Sequence, residues 1–293
     1  MPIQSTPPIS PADLAGALPA DLADVVAGGS VEVRRVAQVA VVTLNRPRQR
    51  NAVTHAMWRA LPAICTALEQ DAAVRAVLFT GAGGNFSAGA DIAEFATARA
   101  DADRSAAYEA AVDACCDAIS ALAKPTIAVI DGYCLGGGAY LATSCDFRFA
   151  APDALFGIPA ARLSIVYGVK ATTKLLALVG LGEAKKILYG AQRFGAAQAL
   201  RIGLVDHVAQ AAPDAAAAAD PMADALAYAQ LLARNAPLSI AGAKTILTGV
   251  ALATAGLDEA RVAALIRAAS TSRDHHEGRA AFAAKREPRF EGR

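Results

Sequence analysis

Ala76-Val-Leu-Phe-Thr-Gly-Ala-Gly-Gly-Asn-Phe-Ser-Ala-Gly-Ala-Asp91 and Thr126-Ile-Ala-Val-Ile-Asp-Gly-Tyr-Cys-Leu-Gly-Gly-Gly-Ala139 are built alike: a short apolar run, then glycines among small residues. Apolar, β-branched runs bounded by turn residues read as buried strands. Helical patterns flank both: Thr54 to Gln70 and Ala106 to Ala123 before the strands, a helix from Asp91 onward and another from Gly137 to Cys145 after them. Strand, glycine loop and helix thus recur twice. That alternation predicts an α/β architecture of stacked strand-loop-helix units rather than a helical bundle.

Working outward, Val31 to Leu44 alternates and is rich in Val, which predicts two strands joined by a turn around Arg35 to Gln38 and ended by Asn45-Arg46-Pro47. Phe147 to Ala150 and Leu155-Phe156 read as further short strands. Beyond them the pattern is helical, with helices expected at Met222 to Asn235, Leu238 to Ala253, Leu257 to Ser270 and His275 to Arg286. The tract Ala211 to Asp220 reads as a linker or as one polyalanine helical turn. Pro2, Pro7, Pro8, Pro11 and Pro19 make the start a flexible arm with one short helix near Asp13 to Val26. The expected organisation is therefore an arm over 1–30, an α/β core over 31–210 and a C-terminal helical region over 211–293.

With 293 residues and 55% hydrophobic content, the chain can bury a substantial core. Its 28 basic and 27 acidic residues nearly cancel, so no global field draws it to nucleic acid or to an anionic membrane. No apolar run reaches the roughly 18 to 20 residues of a membrane span. The first thirty residues also lack a basic start followed by an apolar block, so a cytoplasmic protein is expected. Cys65, Cys115, Cys116, Cys134 and Cys145 have no metal-ligand spacing and read as buried, reduced thiols; no metal site is expected.

The glycine loops carry the chemistry. Small residues let a ligand approach the backbone, and the second glycine run opens a helix whose first amides lack intrahelical acceptors. Gly136-Gly137-Gly138 lacks the spacing of a dinucleotide fingerprint, and no Lys followed by Ser or Thr completes a P-loop.

Leu44-Asn-Arg-Pro with Asn51-Ala52, Phe86-Ser-Ala-Gly-Ala-Asp-Ile92, Asp131-Gly with Gly136-Gly-Gly138, Cys145-Asp146 and Phe156-Gly-Ile-Pro159 resemble, in order and spacing, the enoyl-CoA hydratase/isomerase (crotonase) family. Gly182-Glu-Ala-Lys185, Ala199 to Val205, Asn235-Ala-Pro, Glu277-Gly, Ala281-Phe282 and Lys285-Arg286 extend the resemblance over about residues 31 to 290. It implies a crotonase-like spiral of repeated ββα units, a C-terminal helical trimerisation region, and a homotrimer or dimer of trimers. It further implies an acyl-CoA thioester substrate, a lyase or isomerase reaction of fatty-acid metabolism, and no tightly bound cofactor, coenzyme A entering only as part of the substrate.

By position in that family, the amides of Ala88 and Gly137 would form an oxyanion hole for the thioester oxygen, each donor contributing roughly 3 to 4 kcal/mol. The coenzyme A moiety would be held near Arg48 and Ala52, by Ala90, Asp91 and Ile92, and by Lys285 on the last helix, possessed by the same or an adjacent subunit. Arg50 adds charge beside that loop. The family's two catalytic glutamates fall at Tyr140 and Ala160, so both carboxylates are absent and paired-glutamate hydration is not expected.

Tyr140, Arg162, Ser164 and Tyr167 are the nearest polar replacements in sequence. Tyr167 falls where methylmalonyl-CoA decarboxylase-like members place a tyrosine, with Arg162 a candidate to hold a carboxylate; either tyrosine could equally be packing its ring in the core. Asp91 and His55 read as helix-start residues, and His275 and His276 as a helix entry. A carboxylate brought in from elsewhere, such as Glu94 or Glu109, would restore acid-base catalysis. Two readings stay open: an enzyme that stabilises an enolate, with malonyl-type decarboxylation through Tyr167 as one variant, and an acyl-CoA-binding protein without catalysis.

Overall fold

In a computed structural model the structure describes residues 23–94, 102–163, 165–210, 219–252 and 259–293. Most of the expected N-terminal arm and its short helix, Ser164 and most of the polyalanine tract lie outside the described residues, as does Leu257.

A short helix α1 (Ala23–Ala27) leads into the hairpin β1 (Val31–Val36) and β2 (Val39–Leu44), whose tight turn has Ala37 at φ 53°. Then come α2 (His55–Gln70), β3 (Ala76–Gly81), α3 (Ala102–Ala121), β4 (Thr126–Ile130), β5 (Tyr133–Leu135) and α4 (Gly137–Ser144). After β6 (Phe147–Ala150), β7 (Leu155–Gly157), α5 (Val169–Gly190), β8 (Phe194–Gly195), α6 (Ala196–Arg201) and β9 (His207–Val208), the chain continues as α7 (Pro221–Ala233), α8 (Pro237–Leu252), α9 (Glu259–Ser270) and α10 (Arg273–Ala283).

One sheet runs β1-β2-β3-β4-β6-β9, antiparallel only at its first pair. A smaller sheet runs β5-β7-β8, and the bridge Ser87 to Cys134 extends it by one more passage of chain. The middle turns of the chain therefore give one strand to the large sheet, one short extended passage to the small sheet, and then a helix. This is the mixed α/β spiral of repeated ββα turns expected from the sequence. The strands β3 and β4 are buried on both faces, as parallel strands covered on two sides must be.

Helix α2 starts at Thr54, whose side chain accepts from the Met57 amide, and buries Met57, Trp58, Leu61, Ile64 and Leu68 on one stripe. It packs on α3, where the Trp58 indole donates to the Tyr108 hydroxyl at 3.1 Å. Ala225 and Ala229 of α7 pack under the opposite face of the large sheet, against Val41, Leu78 and Val129. This helix thus forms a layer of the core, although the sequence boundary at 211 sets it with the C-terminal helices. The small side chains of an alanine-rich helix allow that close approach.

Other differences are local. The helix expected from Asp91 is a 3-10 turn, Ile92–Glu94, and the residues that would continue it lie outside the described set. The two- and three-residue strands β5, β8 and β9 are too short to show any periodicity in the sequence. All five cysteines are free and buried, and desolvation pushes the Cys65 thiol up to about 12.

Candidate active site

The two glycine loops lie side by side because Asn51 and Ser87 tie them together. Asn51, wholly buried and at φ 56°, donates through Nδ2 to the Ala82 and Asn85 carbonyls and accepts the Arg46 amide on Oδ1. Ser87 Oγ donates to the Asn51 carbonyl at 2.8 Å and accepts the Gly89 amide at 3.1 Å. Its backbone exchanges bonds with the second loop: the Ser87 amide donates to Tyr133, and Leu135 donates back to Ser87. Glycine is required at 89, where φ is 103° and a Cβ would lie 2.8 Å from the Leu135 carbonyl oxygen.

This framework decides which amides are available. The Ala88 amide donates to the Arg50 carbonyl at 2.8 Å, so Ala88 is not the free donor that the sequence reading makes it. The chain is locally extended, with Val53 bridged to Ala90, and successive amides alternate in direction. Gly89 accepts from Val53, the Asp91 amide donates to Val53, and the Ala90 amide points to the other side. Among the described residues neither Ala90 N–H nor Gly137 N–H has a protein acceptor. They are neighbours: a methyl placed on Gly137 would sit 3.4 Å from the Ala90 nitrogen, and one on Gly89 would sit 3.3 Å from the Gly137 nitrogen. Gly137 is also the first residue of α4, where the helix dipole adds partial positive charge.

Ala90 and Gly137 both line a cavity of about 120 Å³. Trp58, Tyr108, Ala160, Ile165 and Tyr167 give it apolar walls, while Glu109, Asp113 and Tyr140 supply polar groups. Ile92, Leu163 and Val166 are exposed apolar residues on the same lining. A larger hollow of about 600 Å³ among the C-terminal helices is lined by neither Ala90 nor Gly137. Among the described residues no group of three His, Cys, Asp or Glu side chains could hold a metal.

The named side chains divide. Tyr140 and Tyr167 both reach the cavity; the Tyr167 hydroxyl lies 3.7 Å from where a Gly136 Cβ would sit, and its ring packs on the core. The Tyr140 hydroxyl donates to Asp113 Oδ1 at 3.0 Å, and burial, with the nearby acidic groups, pushes its pKa far above that of a free phenol. Tyr140 is a hydrogen-bond donor here and not a base. Glu109 lines the cavity, whereas Glu94 accepts the His55 amide at the start of α2. Arg162 is exposed and is not on the cavity lining. Asp113 and Trp58 are absent from the sequence reading. Asp113 was discoverable only as the residue one helical turn after Glu109.

Of the residues expected near coenzyme A, Asp91 is fully engaged: its amide on Val53, Oδ1 on Ala93, and Oδ2 in an ion pair with Arg46 at 2.7 Å. Arg46 also donates to the Ala52 carbonyl. Arg48, Ile92 and Lys285 are all exposed, and of the three only Ile92 is on the cavity lining. The Arg50 and Arg193 guanidinium groups both sit over the Tyr133 ring, at 5.0 and 5.2 Å from its centroid.

Residues 34–293 match the family model described as enoyl-CoA hydratase/isomerase. A short-chain-enoyl-CoA hydratase of Clostridium acetobutylicum is 36% identical over 212 residues, 72% of this chain and 78% of its own. A 2,3-dehydroadipyl-CoA hydratase of Escherichia coli is 35% identical over 264 residues, covering 89% of this chain and 98% of its own. Among solved structures, an enoyl-CoA hydratase/carnithine racemase from Magnetospirillum magneticum superimposes with a TM-score of 0.81 at 33% identity, covering 90% of this chain and 96% of that one.

Proposed function

The chain belongs to the enoyl-CoA hydratase/isomerase family, and from that premise we propose that it binds an acyl-CoA thioester and stabilises the enolate form of its carbonyl between the Ala90 and Gly137 amides. The observation that carries this reading is the pair of adjacent, acceptor-free amides at the mouth of a helix, inside a cavity walled by apolar residues. Fixed donors aimed where charge develops need no reorganisation during reaction, and each is worth roughly 3 to 4 kcal/mol in such a site.

The reaction is of lyase or isomerase type at the carbons next to the thioester. Coenzyme A enters as part of the substrate, with Arg48, the backbone around Ala52 and Ile92, and Lys285 supplying contacts. Lys285 would do so from a neighbouring subunit of a homotrimer, or of a dimer of trimers. Support for assembly comes from α8, an apolar helix none of whose residues is buried in the single chain. The acyl chain is uncharged in this reading. No Lys or Arg lines the cavity among the described residues, and a terminal carboxylate would meet Glu109 and Asp113. The same point weighs against decarboxylation of a malonyl-type ester through Tyr167, since Arg162 is not placed to hold the departing carboxylate.

Incubating the protein with enoyl-, dienoyl-, β-hydroxyacyl- and malonyl-type CoA esters, read by mass spectrometry, tests the proposal. Turnover of an uncharged enoyl or hydroxyacyl ester, lost in Gly137→Pro, is expected. Calorimetric binding of these esters without turnover would favour a binding protein instead, and no binding would reject both.

A further inference from the structure

We propose that Asp113 is the proton-transfer carboxylate of this cavity and that Tyr140 is its positioning residue. The inference rests on the enolate reading above. An enolate needs a base to form and an acid to collapse, and Tyr140 and Ala160 stand where the family's carboxylates would be. Asp113 restores one from a different element. It lies on α3, lines the same cavity as Ala90 and Gly137, and is half-buried. Its Oδ1 is held by the Tyr140 hydroxyl at 3.0 Å, and Oδ2 has no hydrogen-bond partner among the described residues. A base fixed by a second group while its other oxygen stays available is the arrangement that proton transfer requires. Tyr140, which removes the family's carboxylate from α4, thus supplies the hydrogen bond that orients a carboxylate on α3.

Asp113 Oδ2 takes a proton from C2 of the acyl chain, the C2–H electron pair forms the C1–C2 double bond, and the carbonyl π pair moves onto the oxygen held by Ala90 and Gly137. Return of the proton from Asp113 to C2 reverses it. Around Asp113 stand Glu109 and Asp117 on α3, Tyr140 on α4 and Lys170 and Lys174 on α5, with His55 of α2 stacked on Tyr108.

The test is exchange of the C2 protons of butanoyl-CoA in deuterium oxide, read by mass spectrometry, which needs no knowledge of the full reaction. The wild type exchanges, and Asp113→Asn loses about 100-fold or more while calorimetry shows butanoyl-CoA binding unchanged. Tyr140→Phe lowers the exchange rate about 10-fold with butanoyl-CoA binding unchanged, and adding it to Asp113→Asn lowers the rate no further, a non-additivity that a merely structural tyrosine would not cause. Exchange at the wild-type rate in Asp113→Asn overturns the inference and leaves the enolate reading standing, as does loss in Glu109→Gln with Asp113→Asn intact. No exchange by the wild type despite binding removes the enolate reading and this inference together. Should Asp113→Asn fail to fold, Tyr140→Phe decides: slowed exchange with binding unchanged supports the inference, and exchange at the wild-type rate overturns it.

Discussion

Ala88 and Ala90 are the same residue two positions apart, yet one amide is tied to Arg50 and the other faces Gly137. The glycine loops were legible in the sequence, since only small residues permit that backbone approach. The choice between the two amides was not, because it depends on which N–H the neighbouring segment at Val53 takes up. Proline scanning separates them. Ala90→Pro deletes an amide with no acceptor and is expected to lower turnover about 100- to 1,000-fold with little change in thermal midpoint. Ala88→Pro breaks a loop bond and is expected to cost roughly 1 to 3 kcal/mol of stability. A large loss of turnover in neither variant would contradict the assignment. The side-chain chemistry was less legible still. Nothing local in the sequence says that the Tyr140 hydroxyl finds Asp113 on another helix.

At the scale of elements, long periodic or fully apolar segments such as α2, β3 and β4 were readable, while two-residue strands were not. β9 pairs with β6 through its backbone, and beside that pairing lies Arg148, a fully buried guanidinium that donates to the Leu204 and Cys145 carbonyls and pairs with Asp206 at 2.6 Å. Its replacement by Leu takes the side-chain donor from the two carbonyls, while the half-exposed Asp206 keeps the Arg148 amide, and chemical denaturation is expected to show a loss of roughly 1 to 3 kcal/mol. A change within experimental error would mean that these side-chain bonds add nothing to stability. The last helix has a titratable clasp. Hydrogen bonds from the Arg286 side chain, then from the Arg289 backbone, lower the Glu277 pKa to about 2. Because the folded value lies below the ordinary 4.5, the clasp is fully present above that pH and is released as pH falls from 4.5 through about 2. A carbon-13 titration of Glu277 should find its midpoint near 2, and a midpoint near 4.5 would show the clasp to be absent in solution.

Over the whole molecule, the order of motifs from Leu44 to Lys285 carried the fold, because each marks a fixed place in a repeating spiral. Assembly was not derivable from the residues, since the faces that would meet in it are simply exposed in one chain. Leu247 and Val250 on α8 and Ile266 on α9 are 68%, 65% and 58% exposed, an apolar surface that a single chain leaves in water. Light scattering is expected to find three, or six, times the 29.9 kDa chain mass, and a monomer at working concentration would contradict the proposed assembly.

If two backbone amides polarise the thioester carbonyl, the carbonyl bond itself reports it. Difference infrared spectroscopy of an enoyl-CoA labelled with carbon-13 at its thioester carbonyl addresses it directly, because hydrogen bonds to that oxygen weaken the C=O bond and lower its stretching frequency. A lower frequency is expected for the bound ester than for the ester in water, with the shift diminished in Gly137→Pro and in Ala90→Pro. A bound carbonyl that absorbs at the same frequency as in water, or a shift that both proline variants leave intact, would contradict it.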